Sequence, residues 1–329
     1  MARPRGLIEV VCQNPDCDYF QKEEGKDIIK RGPDAKTGHQ RYYCNHCRKF
    51  FMETKGTPLF NKKLKESEII NICKHFVEKN GIRSIERLTG HHRDTIGHLL
   101  TDIAEHAKQM NEFLIQNVGL STIECDEFWT FVKKKQKKVI NTSSKSNFAG
   151  DAWIFTSIIR DSYFLVSFAV GKRTFQTCQA MTEKMYCRLD LPFPEYKMVI
   201  FSDGYEEYEK CFAKYYANTC IDYGQTIKIR EGSKVVDKIK RIVWGNPNLN
   251  SIDTINVENS NGIFRERIGR LVRKTKCYSK LKTKLECSLE IFQFYWNFIN
   301  EFKDKRTPAM IEDIFDQKIT WSMFLQATI

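Results

Sequence analysis

The sequence predicts an α/β domain carried behind two smaller modules, one cysteine-paired and one helical. Three observations lead there. Four cysteines fall in two tight pairs within the first 47 residues. A short helical stretch, a glycine turn and a longer helical stretch follow, from Ile82 to Ala107. From Thr122 onward the pattern reads three strands, a helix, a strand and a helix, which is a mixed α/β arrangement.

Bulk properties agree with this division. At roughly 100–200 residues per domain, 329 residues make two or three domains. Hydrophobic residues at 41% and charged residues at 29% describe a globular chain, not a disordered one. Lys and Arg number 53 against 41 Asp and Glu, a net charge of +12, so a polyanion is the expected partner. No apolar run approaches the roughly 18 residues of a membrane span, and Met1–Val10 lacks the apolar core of a signal peptide. Twelve cysteines in this length are too sparse for a disulfide scaffold, so a reducing compartment is expected.

The first module covers residues 1–60. Its pairs are Cys12 with Cys17, and Cys44 with Cys47. Each pair can grip one edge of a tetrahedral zinc ion, and thiolates suit zinc. Between them Lys30–Pro33 and Gly38–His39 read as turn-rich, and Gln40–Tyr43 as a short strand. Two cysteine pairs joined by a β segment read as a zinc ribbon. With so few apolar residues its fold depends on the metal. Ordinary free cysteines are the plain alternative, which leaves the pairing unexplained. His39 reads as a turn residue; His46, inside the second pair, stays open as a ligand.

The second module covers 61–118. Ile69, Ile70, Ile72, Cys73, Phe76 and Val77 recur at helical spacing, and Asn80-Gly81 stops that run. Ile82–Leu88 is a short helix, Thr89-Gly90-His91-His92 a turn, and Ile96, Leu99, Leu100, Ile103 and Ala107 mark one face of a longer helix. This is a helix-turn-helix pattern, with a plain three-helix packing unit as the alternative. His92, Arg93 and Thr95 then lie at the start of the second helix, where a recognition helix presents side chains to the major groove.

The α/β domain covers 119–329. Thr122–Val132 is a strand running into the lysines 133, 134, 135, 137 and 138. A polar loop at 141–147 precedes the hairpin Trp153–Ile159 and Tyr163–Val170. Phe175–Leu189 is helical, Lys197–Ser202 is an apolar strand ending in Asp203-Gly204, and Tyr205–Tyr216 is helical. Asp203 thus sits at the carboxyl end of a strand, where α/β sheets place their chemistry. Asp126 lies on the first strand. Two carboxylates on neighbouring strands are the minimum for Mg²⁺, which binds through one or two carboxylates plus phosphates. Glu258, opening a helical segment, is a third acid. Strand alternation puts Glu127 on the face opposite Asp126, a weaker ligand candidate, and Glu124 on the same face, a candidate neighbour. Residues 265–284 hold nine Lys and Arg against Glu266 alone, a density suited to a phosphate backbone. A solvated helix face, the plain alternative, mixes both signs more evenly. Leu285–Ile299 reads as a core helix.

Gly38-His39-Gln40-Arg41-Tyr42-Tyr43-Cys44-Asn45-His46-Cys47-Arg48-Lys49-Phe50-Phe51 resembles the zinc-ribbon segment of InsA-type insertion-sequence proteins. Asp126-Glu127-Phe128-Trp129, Phe201-Ser202-Asp203-Gly204, and Val257-Glu258 with Asn261 and Arg265 resemble InsB-type DDE transposases. Arg270–Lys280 is similar to a further signature of that family. The resemblance runs from about Val11 to about Phe298. It implies an RNase H-like catalytic fold whose metal triad falls on Asp126, Asp203 and Glu258, using Mg²⁺ or Mn²⁺. It also implies cleavage and joining of double-stranded DNA, at the terminal inverted repeats of a mobile element and in target DNA. Lys133, Lys134, Lys135, Asn261, Arg265, Arg273 and Lys274 would then meet DNA. The long interval from Asp203 to Glu258 matches family members with an insertion, here around 218–250. Asn259 departs from the family, which has a basic residue directly after the glutamate. Synapsis of two DNA ends implies a dimer or larger homo-oligomer, and the family implies the prokaryotic cytoplasm, at the nucleoid. The rival readings are a non-catalytic DNA-binding regulator, a hydrolytic nuclease and an RNA-directed enzyme.

Overall fold

The computed structural model describes residues 10–35, 37–139, 148–232, 234–272 and 276–328. The expected polar loop at 141–147 and the expected DNA contacts Arg273 and Lys274 lie outside them. The chain divides into two units, Met1–Cys73 with Thr320–Ile329, and Lys74–Ile319.

In the smaller unit β1 (Ile28–Pro33), β2 (Gln40–Cys44) and β3 (Lys49–Met52) form one antiparallel sheet in that order. Strand alternation turns Tyr42 and Cys44 inward, and Cys44 stands opposite both Ile28 and Lys49. Ile28, Tyr42 and Phe51 bury together with Cys12, Cys17 and Cys44. Among the described residues these six are the buried members of that cluster, so cysteines are half of it. Helix α1 (Glu66–Phe76) begins in this unit, with Ile69 and Ile72 buried. Its Glu66 accepts hydrogen bonds from Ser322 and Gln326 of the C-terminal helix Trp321–Gln326.

The larger unit starts with α2 (Ile82–Thr89) and α3 (Arg93–Leu114). Gly90 between them has φ +76°, the left-handed value that closes α2 and that a side chain would resist. His92 caps α3 by accepting the Asp94 amide. The buried face of α3 carries Ile96, Leu99, Leu100, Ile103 and Ala107. Asn111 of α3 donates to the Glu290 carbonyl of α7 (Lys282–Phe294), so α2 and α3 share a unit with the sheet.

The six-stranded sheet has the order β6-β5-β4-β7-β8-β9. Its strands are β4 (Thr122–Val132), β5 (Gly150–Ile159), β6 (Leu165–Gly171), β7 (Met198–Asp203), β8 (Ile221–Glu231) and β9 (Lys234–Trp244). β4 runs antiparallel to β5 and parallel to β7, and β7 runs parallel to β8. Helix α4 (Phe175–Arg188) leads toward β7, α5 (Glu206–Tyr215) follows it, and α6 (Ile255–Arg267) follows the β8–β9 hairpin. The stretch expected as an insertion around 218–250 is therefore mostly sheet, with β8 its fifth strand. The expected core helix at 285–299 is α7 followed by a π-helical turn, Tyr295–Ile299, in which Trp296 is buried and donates to the Tyr163 carbonyl. No helix among the described residues is long and apolar enough to cross a membrane.

Candidate metal centres

The four paired cysteines converge. Cys12 and Cys47 lie 3.7 Å apart at sulfur, Cys17 and Cys44 4.0 Å, and all four sulfurs lie within 4.8 Å of one another. Four thiols at this spacing are the donor set of a closed tetrahedral site. His46, left open by the sequence, is engaged elsewhere. Its Nε2 meets the Gly25 carbonyl at 2.9 Å and its ring stacks on Tyr19. His39 pairs with Glu53.

The second centre lies where β7 ends beside the middle of β4. Pairing between these strands stops at Cys125 opposite Ser202, because β7 ends at Asp203. Beyond that point the β7 side of β4 is open, and a cavity of about 890 Å³ fills the space. Asp126, Glu127, Asp203 and Glu258 all line it. Carboxylate oxygens of Asp126, Glu127 and Asp203 lie within 4.8 Å of one another.

Glu127 corrects the sequence reading. Alternation does send it to the face opposite Asp126, where Tyr208 of α5 and Arg173 hold it. The open strand edge and the extra methylene of Glu nevertheless bring its carboxylate back to the group. Glu258 is placed differently from the expected triad. It lines the cavity from α6, but its carboxylate is outside the close group and accepts from Lys228 Nζ and Thr254 Oγ1, each at 2.7 Å. Glu124 is an anchor instead of a neighbour ligand. Wholly buried, it accepts Arg160 Nε at 2.6 Å and the Val257 amide at 2.9 Å, which fixes the first turn of α6 and with it Glu258.

Electrostatics mark the group as cation-seeking. Burial, then the charges of Asp203 and Glu127, push Asp126 up to about 8. Burial and Asp203 push Glu127 up to about 7, against the pull of Arg173. Burial raises Asp203 too, opposed by the Tyr205 amide and Arg173. Glu258 goes the other way: burial would raise it, but Lys228 and Thr254 hold it below the usual carboxylate range. Three crowded acids that resist ionising together, with oxygen donors only, fit a hard divalent cation.

Asn261, expected to touch DNA, is buried and bonded within the centre. Its Nδ2 donates to Asp126 Oδ2 at 3.0 Å, and its Oδ1 accepts from Thr156 Oγ1 at 2.9 Å. Arg265 lines the cavity, donates to the Trp129 carbonyl and lies over the Phe128 ring. His92, Arg93 and Thr95 are exposed at the start of α3, and Lys133, Lys134 and Lys135 are exposed after β4. Gly204 serves packing: a Cβ there would stand 3.2 Å from the Ile227 side chain of β8. Arg173 and Lys228 were missed by the sequence reading. Both emerge at this end of the sheet, Arg173 just past β6, which runs parallel to β4, and Lys228 on β8 past the end of β7.

The fold and the two centres define an α/β protein with a four-cysteine cluster and an acidic pocket, both able to hold metal. No protein-family model matches the chain, and no curated protein does. Among solved structures the chain is similar to the Mos1 strand transfer complex at 10% identity over 45% of this chain and 53% of that chain, TM-score 0.18. It is similar to the Mos1 mariner paired end complex with Mn at 9% identity over 47% and 58%, TM-score 0.18. For a pre-cleavage Mos1 transpososome the figures are 8% identity over 80% and 78%, TM-score 0.25. The chain thus spans about half the length of the first of these chains.

Proposed function

We propose that this chain is a metal-dependent DNA transposase of the DDE type, with an RNase H-like catalytic domain, a zinc ribbon and a helix-turn-helix. The observation that carries the reading is the convergence of Asp126, Glu127 and Asp203 at one end of the sheet, with Glu258 on the same cavity. Such a pocket suits two-metal phosphoryl transfer, for which Mg²⁺ or Mn²⁺, when bound, would supply the charge that activates an attacking oxygen and stabilises a leaving one.

The chain's own residues supply the rest. Asp126 and Asp203 would hold a divalent cation, with Glu127 or Glu258 completing the donor set. Asn261 keeps the Asp126 carboxylate aimed into the cavity. Lys228 holds Glu258 ionised at the cavity wall. Arg265, with the exposed lysines 133, 134 and 135, offers charge to DNA phosphates. The four-cysteine sheet with zinc and the exposed start of α3, with His92, Arg93 and Thr95, recognise the element's ends. Synapsis of two ends calls for at least a dimer, in the prokaryotic cytoplasm.

The test is cleavage and joining of duplex DNA carrying the element's own terminal repeats, with Mg²⁺ or Mn²⁺. The reading expects metal-dependent joining by the wild type and its loss in Asp203→Ala and Glu258→Ala. Binding with no reaction leaves the regulator reading. Cleavage without joining leaves the nuclease.

A further inference from the structure

Strand β9 ends the six-stranded sheet, so its outer edge has no neighbouring strand. β7 pairs with β8 only as far as Thr226, and beyond that point β8 and β9 run on as a two-stranded ribbon. Such a ribbon is marginal in water by itself. This one also leaves apolar side chains uncovered: Ile229, Val235, Val236, Ile239 and Ile242 are each 38–50% exposed. Edge strands are commonly guarded by lysine, and Lys234, Lys238 and Lys240 fit that role. Asp237 and the exposed apolar residues do not. Val236 and Val243 have no partner on β8, so 237–242 is the regular run. Within it Asp237, Ile239 and Arg241 share one face. Acid, apolar residue and base at alternate positions complement a second copy of themselves run in reverse. Arg241 is held on that face by Glu209 of α5, 3.3 Å from its Nη2, and a guanidinium has further donors to share. Asp237 meets no cation among the described residues; its Oδ1 accepts the Lys238 amide at 2.7 Å.

We infer that β9 is a dimer interface, at which a second copy of this chain adds its own β9 antiparallel across a two-fold axis at Ile239. In that register Asp237 stands opposite Arg241 of the partner subunit. The same contact repeats on the other side of the axis, because a two-fold interface is isologous. Ile239 meets its own mate, which covers the apolar centre of the ribbon. Charge selects this register. An axis at Asp237 sets acid against acid, and an axis at Lys238 leaves Asp237 opposite Ile239. Lys238 and Lys240 lie on the other face, where Lys240 Nζ is drawn to the Asn250 carbonyl at 2.7 Å. The homo-oligomer of the proposed function is thereby given a face; the inference rests on that reading for its role and on β9 alone for its existence.

The experiment takes the full chain as purified, without DNA or added Mg²⁺ or Mn²⁺, and follows its mass by sedimentation equilibrium over a dilution series. The wild type is expected to be a dimer that dissociates on dilution. Asp237→Lys sets cation against Arg241, and Arg241→Glu sets acid against Asp237, twice in each dimer. Each variant alone is therefore expected to dimerise at least about tenfold more weakly. Mixed in equal amounts, the two are expected to regain wild-type dimerisation, because both contacts then pair opposite charges. That recovery also shows that both variants fold. A second readout is cross-linking under mild oxidation with diamide. Residues directly opposed across a strand pair lie about 4.5–5.5 Å apart at Cα, within disulfide reach. Ile239→Cys is expected to form a covalent dimer absent from the wild type and from Lys238→Cys. A monomeric wild type, or variants that dimerise as well as the wild type, would overturn the inference. So would no recovery on mixing, or equal cross-linking at 238 and 239. Strand joining, measured separately with metal, keeps the two readings apart. A β9 dimer with no reaction on DNA removes the transposase and leaves the interface; a reaction by a chain that stays monomeric on and off DNA does the reverse.

Discussion

Replacing Cys44 with Ser should abolish metal binding by the small unit and unfold its sheet. Cys44 sits wholly buried between β1 and β3, and its sulfur lies 4.0 Å from that of Cys17. The other large buried side chains in this cluster are Ile28, Tyr42 and Phe51. At roughly 1.5–3 kcal/mol each they contribute about 5–9 kcal/mol. A structural zinc bound by folded thiolates contributes about 10–16 kcal/mol. A metal held there would therefore be the larger of the two, and burial alone is not expected to hold three short strands. Loss of an outer partner of a ligand already costs about 10–100-fold in affinity, so loss of a ligand should exceed about a hundredfold. Zinc content and the visible absorption of the Co²⁺-substituted full chain report the site, and limited proteolysis reports the sheet. Wild type should bind one tetrahedral ion and resist cleavage between Cys12 and Met52. Cys44→Ser should do neither. Wild-type zinc affinity in the variant, or a protease-resistant sheet in metal-free wild type, would show that the sheet stands without a four-thiolate metal site.

Other consequences concern the acid pocket. Asn261→Leu removes the donor to Asp126; a hydrogen bond to a charged group is worth about 1.5–3 kcal/mol, so Mn²⁺ affinity should fall about tenfold or more with the fold intact. Metal-free protein should lose stability as pH rises from about 4 to about 8. Asp126 keeps its proton in the fold up to about 8 but releases it near 3.9 when unfolded, so the unfolded state holds fewer protons across that window. Denaturant melts at pH 5 and 8 check this, and added Mg²⁺ should narrow the gap. Lys228→Met should raise the Glu258 carboxyl toward or above its ordinary value, seen in the carboxyl carbon shift by NMR, because burial then acts unopposed by the ammonium.

Much of this architecture is legible in the residues, for definable reasons. Thr122–Val132 and Met198–Asp203 are rich in apolar, aromatic and β-branched side chains; the first carries Asp126 within it and the second ends in Asp203. Gly90 and the apolar face of α3 mark the turn and the helix without tertiary help. β8 and β9 are harder. Gly224 interrupts the first, and β9 is exposed almost throughout, so neither shows the alternation of a half-buried strand. Glu127 shows how alternation can mislead. The rule gives the right face, but it has no knowledge of where the neighbouring strand ends. Asn261 is a comparable case: its motif position is visible, but the partner it meets, Asp126, is distant in sequence. The roles of Glu124 and Arg160 depend on α6 returning to β4, a contact that local pattern does not encode.

On the proposed function, Asp126 and Asp203 hold a divalent cation in the cavity where β7 stops. The most direct measurement of this is a Mn²⁺ titration of the full chain, zinc retained, followed by the electron paramagnetic resonance of free Mn²⁺. The wild type and a variant with Asp126→Asn and Asp203→Asn would be compared. Saturable Mn²⁺ uptake is expected of the wild type and none of the variant, with both folded to the same helix content. Equal uptake by the two proteins would place the cation elsewhere and contradict the claim.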